Sequence, residues 1–578
     1  MTAGQANHDE HGSGIMRRRF LTISGRWGQR QVHYRTGGTG PLLLMLHQSP
    51  QSSRELLPLM QAWSAHFTVL APDSPGYGLS DPLGVEEATL GDFADATVEF
   101  LDALGVARFS LYGFHTGGMI GIALAERYPE RVLALACNGV AVPTGPELSE
   151  ILAEYLPRFE PRWDGGHLAW LWARLREQTI FFPWHKRSAS SRMSFPMPPP
   201  ERLQAGVLEF LRAADHYQVA YRAAFTYPVA EVARTLQVPV LLTAAARDPL
   251  YQHLARIREP ARSVVITPSA TPEEALQHCL AHVRKHAGDP VRLRPQDDTP
   301  DHPRLRHQVI NAGGFDVQLL WGGRDGQPVL LLHEAGGSTR TVRELAAGLA
   351  SHCQVLAMDL PGHGESEPLP TGQSASVAGA ADAVIAVLGS LGMPSLDILG
   401  VEVGGLVALE VARRAPSRVS RVILVDPPAC EPGLAAAIRV EGLPSMAPDW
   451  HGGHLSRCWH MLRDARLYFP WFRRDPSGLR TGEPSLDDRQ IQLEVTERLK
   501  AEGAWQPLLA DALSQDVAAG MAATPVEVVL AGLATSPWRE RVVALAADTG
   551  RQVLILPMEF PARSDALLAL IRSGDNRP

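Results

Sequence analysis

Cysteine is scarce in this chain, and CxxC pairs and long apolar runs are absent. The five cysteines, Cys137, Cys279, Cys353, Cys430 and Cys458, form an odd set at irregular spacing. That excludes a disulfide scaffold and a zinc ribbon, and it points to reduced thiols in a cytoplasmic setting. No stretch reaches the ~18 consecutive apolar residues that a membrane span needs. "RRRFLTI" at 17–23 looks like the start of an export signal. The polar "SGRWGQRQVHYR" follows where an apolar segment of ~7–15 residues would be required, so a first strand is expected instead. The formal charge of −8 over 578 residues offers no basic surface for nucleic acid or anionic lipid. The partner expected is a small molecule.

A single core rarely grows beyond ~250–300 residues, so this length calls for at least two domains. The sequence supplies them as a repeat. "LYGFHTGGMIGIALAERYPERVLAL" at 111–135 returns as "ILGVEVGGLVALEVARRAPSRVSRV" at 398–422, an offset of 287 that sets His115 against Glu402. "MLHQSPQSS" returns as "LHEAGGSTR", and "LAPDSPGYGLSDP" as "LAMDLPGHGESEP", both at offset 286, which pairs His47 with His333 and Asp73 with Asp359. "WDGGHL…FFPW" and "WHGGHL…YFPW" add His167 with His454 and Trp184 with Trp471. Four matches in one order identify a tandem duplication. The Pro- and Asp-rich stretch around 287–305 reads as a linker between domains at 17–286 and 306–575, and the polar tail 1–16 as disordered. Each copy alternates apolar strand-like runs with helical stretches, which predicts two α/β domains, each a mostly parallel sheet with helices on both faces.

On these residues both halves resemble α/β-hydrolases of the type that includes meta-cleavage-product hydrolases, haloalkane dehalogenases and epoxide hydrolases. The resemblance rests on the "LHxxxxSS" loop, the "APDSPGYGLSD" turn, the "GFHTGG" elbow, the "YPERV" helix end, and the "VPVLLTAAARDP" strand with Asp248. It implies a helical cap in each copy, at about 143–230 and 430–515. It also implies a catalytic triad in the order nucleophile, acid, histidine.

Both copies depart from that triad. In the first, His115 stands at the nucleophile position, Asp248 at the acid position, and Ser269 and Ala270 where the histidine is expected. The two departures are read together as one relocation. An imidazole on the elbow is longer than a serine, and His115 could reach Asp248 directly as a His–Asp dyad. Asp248 would then fix the tautomer and raise the basicity of His115, as suits a general base. Backbone N–H groups of Thr116 and of Gln48 or Ser49 would supply an oxyanion hole. Such a site suits attack by activated water on an ester, amide or carbon–carbon bond. It equally suits proton abstraction beside a carbonyl, leading to elimination, isomerisation or decarboxylation. Acylation of the histidine itself ranks third. The rival reading is a catalytically inactive ligand-binding or regulatory protein with a packed, satisfied His115. Turnover by wild type but not by dyad variants discriminates the two.

Candidate substrate contacts are His47, His167, Trp184, Arg192 and His216. For each, a structural or exposed role is the commoner fate of the residue type. His278, His282 and His286 are spaced along one helix, but no HExxH motif accompanies them and no metal is assigned. No cofactor is expected either. The second copy carries Glu402 on its elbow and Ala534 or Thr535 at the acid position, with no histidine after its last strand. It reads as a pseudo-domain that packs on the first, as in an intramolecular dimer. Homo-oligomerisation stays open.

Overall fold

The computed structural model describes residues 16–294 and 304–573, apart from 325, 371 and 394. The expected tail, except Met16, and the middle of the expected linker, 295–303, lie outside the described residues. The chain divides into two compact units. One holds the chain up to Glu160 and resumes at Trp170, and the other takes Pro161–Ala169 together with the second half of the chain. The sequence reading kept 143–230 within the first domain, whereas the short segment that bears His167 belongs to the second unit.

The first unit is built on an eight-stranded sheet: β1 (Arg17–Gly25), β2 (Gly28–Gly37), β3 (Leu42–Leu46), β4 (Thr68–Pro72), β5 (Phe109–Phe114), β6 (Val132–Asn138), β7 (Val240–Thr243) and β8 (Val264–Ile266). Their spatial order is β1-β2-β4-β3-β5-β6-β7-β8. β1 and β2 form an antiparallel edge hairpin with polar residues along it, and β2 pairs antiparallel with β4. The central strands are continuous apolar runs, "LLLML" in β3 and "TVLAP" in β4, buried at every position. Continuous runs are what parallel strands need when helices cover both faces.

The second unit repeats this plan with β9 (Arg306–Ala312), β10 (Phe315–Gly323), β11 (Val329–Leu332), β12 (Gln354–Met358), β13 (Leu396–Val401), β14 (Val419–Val425), β15 (Glu527–Leu533) and β16 (Val553–Leu556). The order is the same, β9-β10-β12-β11-β13-β14-β15-β16. Two sheets of identical topology in one chain carry the duplication from the sequence into the fold.

Register places the chemistry. Leu46 pairs with Gly113, Gly113 with Cys137, and Asn138 with Thr243, so β3, β5, β6 and β7 end level with one another. The loops that follow them leave the sheet at one edge, the usual place for a site in an open α/β sheet. Those loops carry Gln48 and Ser49, His115, Gly139 and Asp248. Between β6 and β7 the chain passes through the helices Gly145–Glu150, Gly166–Ile180, Pro200–Ala213 and Tyr217–Thr226; the second and the last of these, with Tyr155 and the stretch from Phe182 to Pro198, supply walls of the site. All five cysteines are free. Among the described residues no helix is long and apolar enough to cross a membrane.

Candidate functional site

His115 sits between β5 and the helix Thr116–Arg127 at φ 45° and ψ −113°. A residue with a Cβ reaches that region only at a cost. The glycines of "GFHTGG" make the turn feasible: a Cβ at Gly113 would fall 2.5 Å from the Gly117 backbone, and one at Gly117 would fall 2.2 Å from the Leu46 carbonyl oxygen. Glu402 repeats the turn at φ 49° and ψ −114°. Both elbows have therefore kept their backbone shape while changing the side chain they present.

His115 Nε2 and Asp248 Oδ2 are 2.8 Å apart. Asp248 lies beyond β7, and its other oxygen accepts the Leu250 N–H at 2.8 Å. With Nε2–H donated to the carboxylate, Nδ1 is left as the basic nitrogen of the ring. Burial opposes charge on His115, but the charge and hydrogen bond of Asp248, helped by Glu55, outweigh it and hold the imidazole pKa above its ordinary value. Burial likewise opposes the Asp248 carboxylate, and His115, the Leu250 N–H and His253 together keep its pKa below the usual range. Both side chains line a cavity of about 410 Å³. Its walls are mostly apolar, with Phe114, Met119, Phe182 and Phe225 among them, and its polar groups include Gln48, Ser49, Tyr155, Gln178, Thr179 and Tyr221.

The position where the triad histidine was sought is filled differently. Ser269 is buried, with its hydroxyl 3.0 Å from both Thr243 Oγ1 and His278 Nδ1. This places His278 in a hydroxyl network, while His282 reaches the Pro239 carbonyl oxygen.

Thr116 and Ser49 border the cavity, as does Gln48. Thr116 opens the elbow helix, so its N–H has no intrahelical acceptor. Gln48 is already engaged. Its backbone N–H points to Glu55 Oε2 at 3.3 Å, and its side-chain amide donates to Glu55 Oε1. Burial pushes the Glu55 carboxyl up to about 7, against the hydrogen bonds from Gln48 and the charge of His115. The sequence reading had no place for Glu55, although comparing the two repeats offered a signal. At offset 286 Gln48 answers to Glu334 and Glu55 to Thr341. Glu334 and Thr341 lie side by side against Gly337, with the Thr341 hydroxyl given to the Ser338 carbonyl oxygen, so the loop keeps one carboxyl at this pair of positions in both copies while reversing which member is acidic.

The five candidate contacts lie away from the cavity wall. His47 is buried, with Nδ1–H directed to the Gln48 carbonyl oxygen and Nε2 accepting the Ser74 N–H, both at 2.9 Å. His333 repeats this with Glu334 and Leu360. Both rings tie loops together with each nitrogen occupied. Trp184 is buried and donates its indole N–H to the Tyr155 carbonyl oxygen, a role that Trp471 repeats with Gly442. Arg192 and His216 are exposed. His167, in the second unit, contacts Gln492 and packs edge-on against Trp459.

In the second unit the elbow carboxyl of Glu402 is pushed up to about 8 by burial and by the neighbouring Glu334 and Asp426. Asp426 stands where the first copy has Gly139, and it accepts the Leu533 N–H. No histidine faces Glu402 among the described residues' hydrogen bonds, and Thr535, at the position answering to Asp248, donates to Met558 Sδ.

The α/β-hydrolase fold family model matches residues 41–271 and 327–454, more than half of the chain and parts of both copies. The chain is 31% identical over 132 residues to an uncharacterized hydrolase of Saccharomyces cerevisiae, covering 22% of this chain and 44% of that protein. It is 32% identical over 139 residues to a fluoroacetate dehalogenase of Burkholderia, covering 23% and 44%. It thus spans less than half the length of these curated relatives. Among solved structures, a hydrolase from Pseudomonas aeruginosa matches 46% of this chain and 97% of its own at 20% identity and a TM-score of 0.36. With the matched segments in both halves and the repeated eight-stranded sheet, the chain belongs to the α/β-hydrolase fold family, as a tandem duplication.

Proposed function

We propose that the first unit is an enzyme in which His115 acts as general base and Asp248 orients and charges it, on a small carbonyl or carboxylic compound held in the capped cavity. The observation that carries this reading is the 2.8 Å contact between His115 Nε2 and Asp248 Oδ2 at the cavity wall. The carboxylate stabilises the imidazolium that forms when Nδ1 takes a proton, which is the task of the acid in a triad. The proton comes from a bound water that attacks a carbonyl carbon, or from a carbon beside the carbonyl. In both cases negative charge develops on an oxygen, and the Thr116 N–H at the helix N-terminus supports it. The Gln48 N–H, which points to Glu55 Oε2 at 3.3 Å, is the second candidate donor. The second unit lacks the base and its orienting acid, and its role is support of the first. Five unpaired thiols favour a reducing, cytoplasmic setting.

The test is turnover of a panel of esters, lactones and 1,3-dicarbonyl compounds by wild type, His115→Ala and Asp248→Asn. A general base contributes roughly 10²–10⁴-fold, and both variants are expected to lose that much. Unchanged turnover in both would sink the reading, and no turnover of any panel member by wild type would favour a binding protein.

A further inference from the structure

Arg174 is buried in the cap at 1% exposure. Of its donors, Nη1–H reaches Gln178 Oε1 at 2.9 Å, while Nε and Nη2 are buried with no hydrogen-bond acceptor. No carboxylate is paired with it among the described residues. A guanidinium taken out of water without a counter-ion is costly. Part of that cost is offset by aromatic faces, because the charge lies 5.2–6.0 Å from the ring centroids of Tyr155, Trp184, Phe210 and Tyr217. The net positive charge remains.

That charge is connected to the cavity. Accepting from Arg174 fixes which end of the Gln178 amide is oxygen, so its NH₂ faces away from the guanidinium, and Gln178 and Tyr221 act on one another electrostatically at the cavity wall. The Tyr221 hydroxyl has no hydrogen-bond acceptor among the described residues, so its hydrogen is left to give to a ligand. Tyr221 and Gln178 both line the cavity that His115 and Asp248 border, and Tyr221 is itself buried. Burial raises the Tyr221 phenol pKa, and Arg174 and Gln178 act against that rise, which marks the reach of the cation's field.

We propose that the relay Arg174–Gln178–Tyr221 makes the cap the anion-recognising wall of the cavity, so that the compound bound there carries a carboxylate, which accepts the Tyr221 O–H and serves as the missing counter-ion of Arg174. Tyr221 touches the ligand, and Arg174 and Gln178 are positioning residues. This inference deepens the proposed function, since it names the chemical class that His115 acts on, but it concerns binding rather than turnover.

The experiment compares phenylacetate with phenylacetamide, two probes of matching shape that differ in charge, by calorimetric titration of the full chain at pH 7.5. Wild type is expected to bind the carboxylate about tenfold more tightly than the amide. Arg174→Met, which keeps much of the side-chain volume, and Tyr221→Phe, which removes a single hydroxyl, are each expected to bring the preference within about twofold. His115→Gln is expected to keep it. Equal binding of the two probes, binding of neither, or a preference that survives both cap variants overturns the proposal. So does a preference lost in His115→Gln alone, which would assign the positive charge to the imidazolium. A preference that persists while His115→Ala leaves turnover unchanged would remove the catalytic reading and leave this one standing.

Discussion

The His115 ring occupies the space that a side chain at residue 139 would need: a Cβ on Gly139 would fall 2.2 Å from His115 Cδ2. Gly139 also has φ +84°, which disfavours any replacement. The histidine elbow and the glycine after β6 therefore belong together, and the second copy, with Glu402 on the elbow, carries Asp426 in the glycine's place. Gly139→Ala is expected to push the imidazole off Asp248 and to cost about 1–3 kcal/mol of stability. Its signature is a His115 pKa that drops toward the ordinary value, read by NMR titration of ¹³C-labelled histidine. A pKa that stays raised would show that the ring tolerates the methyl group.

The His115–Asp248 pair should stabilise the fold only within a pH window. A histidine whose folded pKa is raised contributes fully below its unfolded value of ~6.5, and that contribution is lost as pH rises through the folded pKa. An aspartate whose folded pKa is lowered contributes above ~3.9, and loses its contribution as pH falls through the folded value. The two conditions overlap in the mildly acidic range. Near pH 5.5 Asp248→Asn is expected to cost about 1.5–3 kcal/mol, the range for a hydrogen bond to a charged group, and less near pH 9. Chemical denaturation of both proteins at the two pH values checks this, and a cost that does not vary with pH would mean that the pair is not ionised.

How much of this was legible beforehand differs between backbone and side chains. The sheet, the elbows and the duplication were readable because they depend on local patterns: continuous apolar runs for buried strands, and glycines wherever a Cβ would strike backbone. Asp248 was readable because its strand carries a fixed place in the fold. His47 misled for the reverse reason. It lies beside the cavity in sequence, yet its two nitrogens are spent on Gln48 and Ser74, a tertiary arrangement that no spacing encodes. Glu55 and the Arg174–Gln178–Tyr221 relay were invisible because they depend on which helix face meets which loop. A lone glutamate in "SSRELL" or an arginine in "LWARLREQ" looks like an ordinary solvated charge.

Glu55 supplies a test of the loop that bears Gln48. A carboxyl whose folded pKa is raised to about 7 lowers stability progressively as pH climbs from its ordinary range to that value, because the fold resists its ionisation. Glu55→Gln removes the ionisation and keeps one acceptor for the Gln48 amide. Relative to wild type the variant should therefore gain stability between about pH 5 and pH 7 and hold that gain above, by on the order of 2 kcal/mol. Thermal unfolding at pH 5 and pH 8 is the measurement. Equal differences at both values would mean that Glu55 is ionised throughout.

Glu402 separates a disused elbow from a working one. Its carboxyl is pushed up to about 8 by burial and by the charges of Glu334 and Asp426. A nucleophilic or basic role near neutrality would need the ionised form, which this surrounding disfavours. The fold thus carries an increasing penalty between the ordinary glutamate range and pH 8, and Glu402→Gln, neutral and nearly isosteric, should relieve it. The variant is expected to unfold at a higher temperature than wild type at pH 8, with the two close together at pH 5. Turnover by the first unit should be unaffected. A variant that loses turnover while gaining stability would instead place Glu402 in the chemistry, the trade expected when a strained, destabilising group is kept for function.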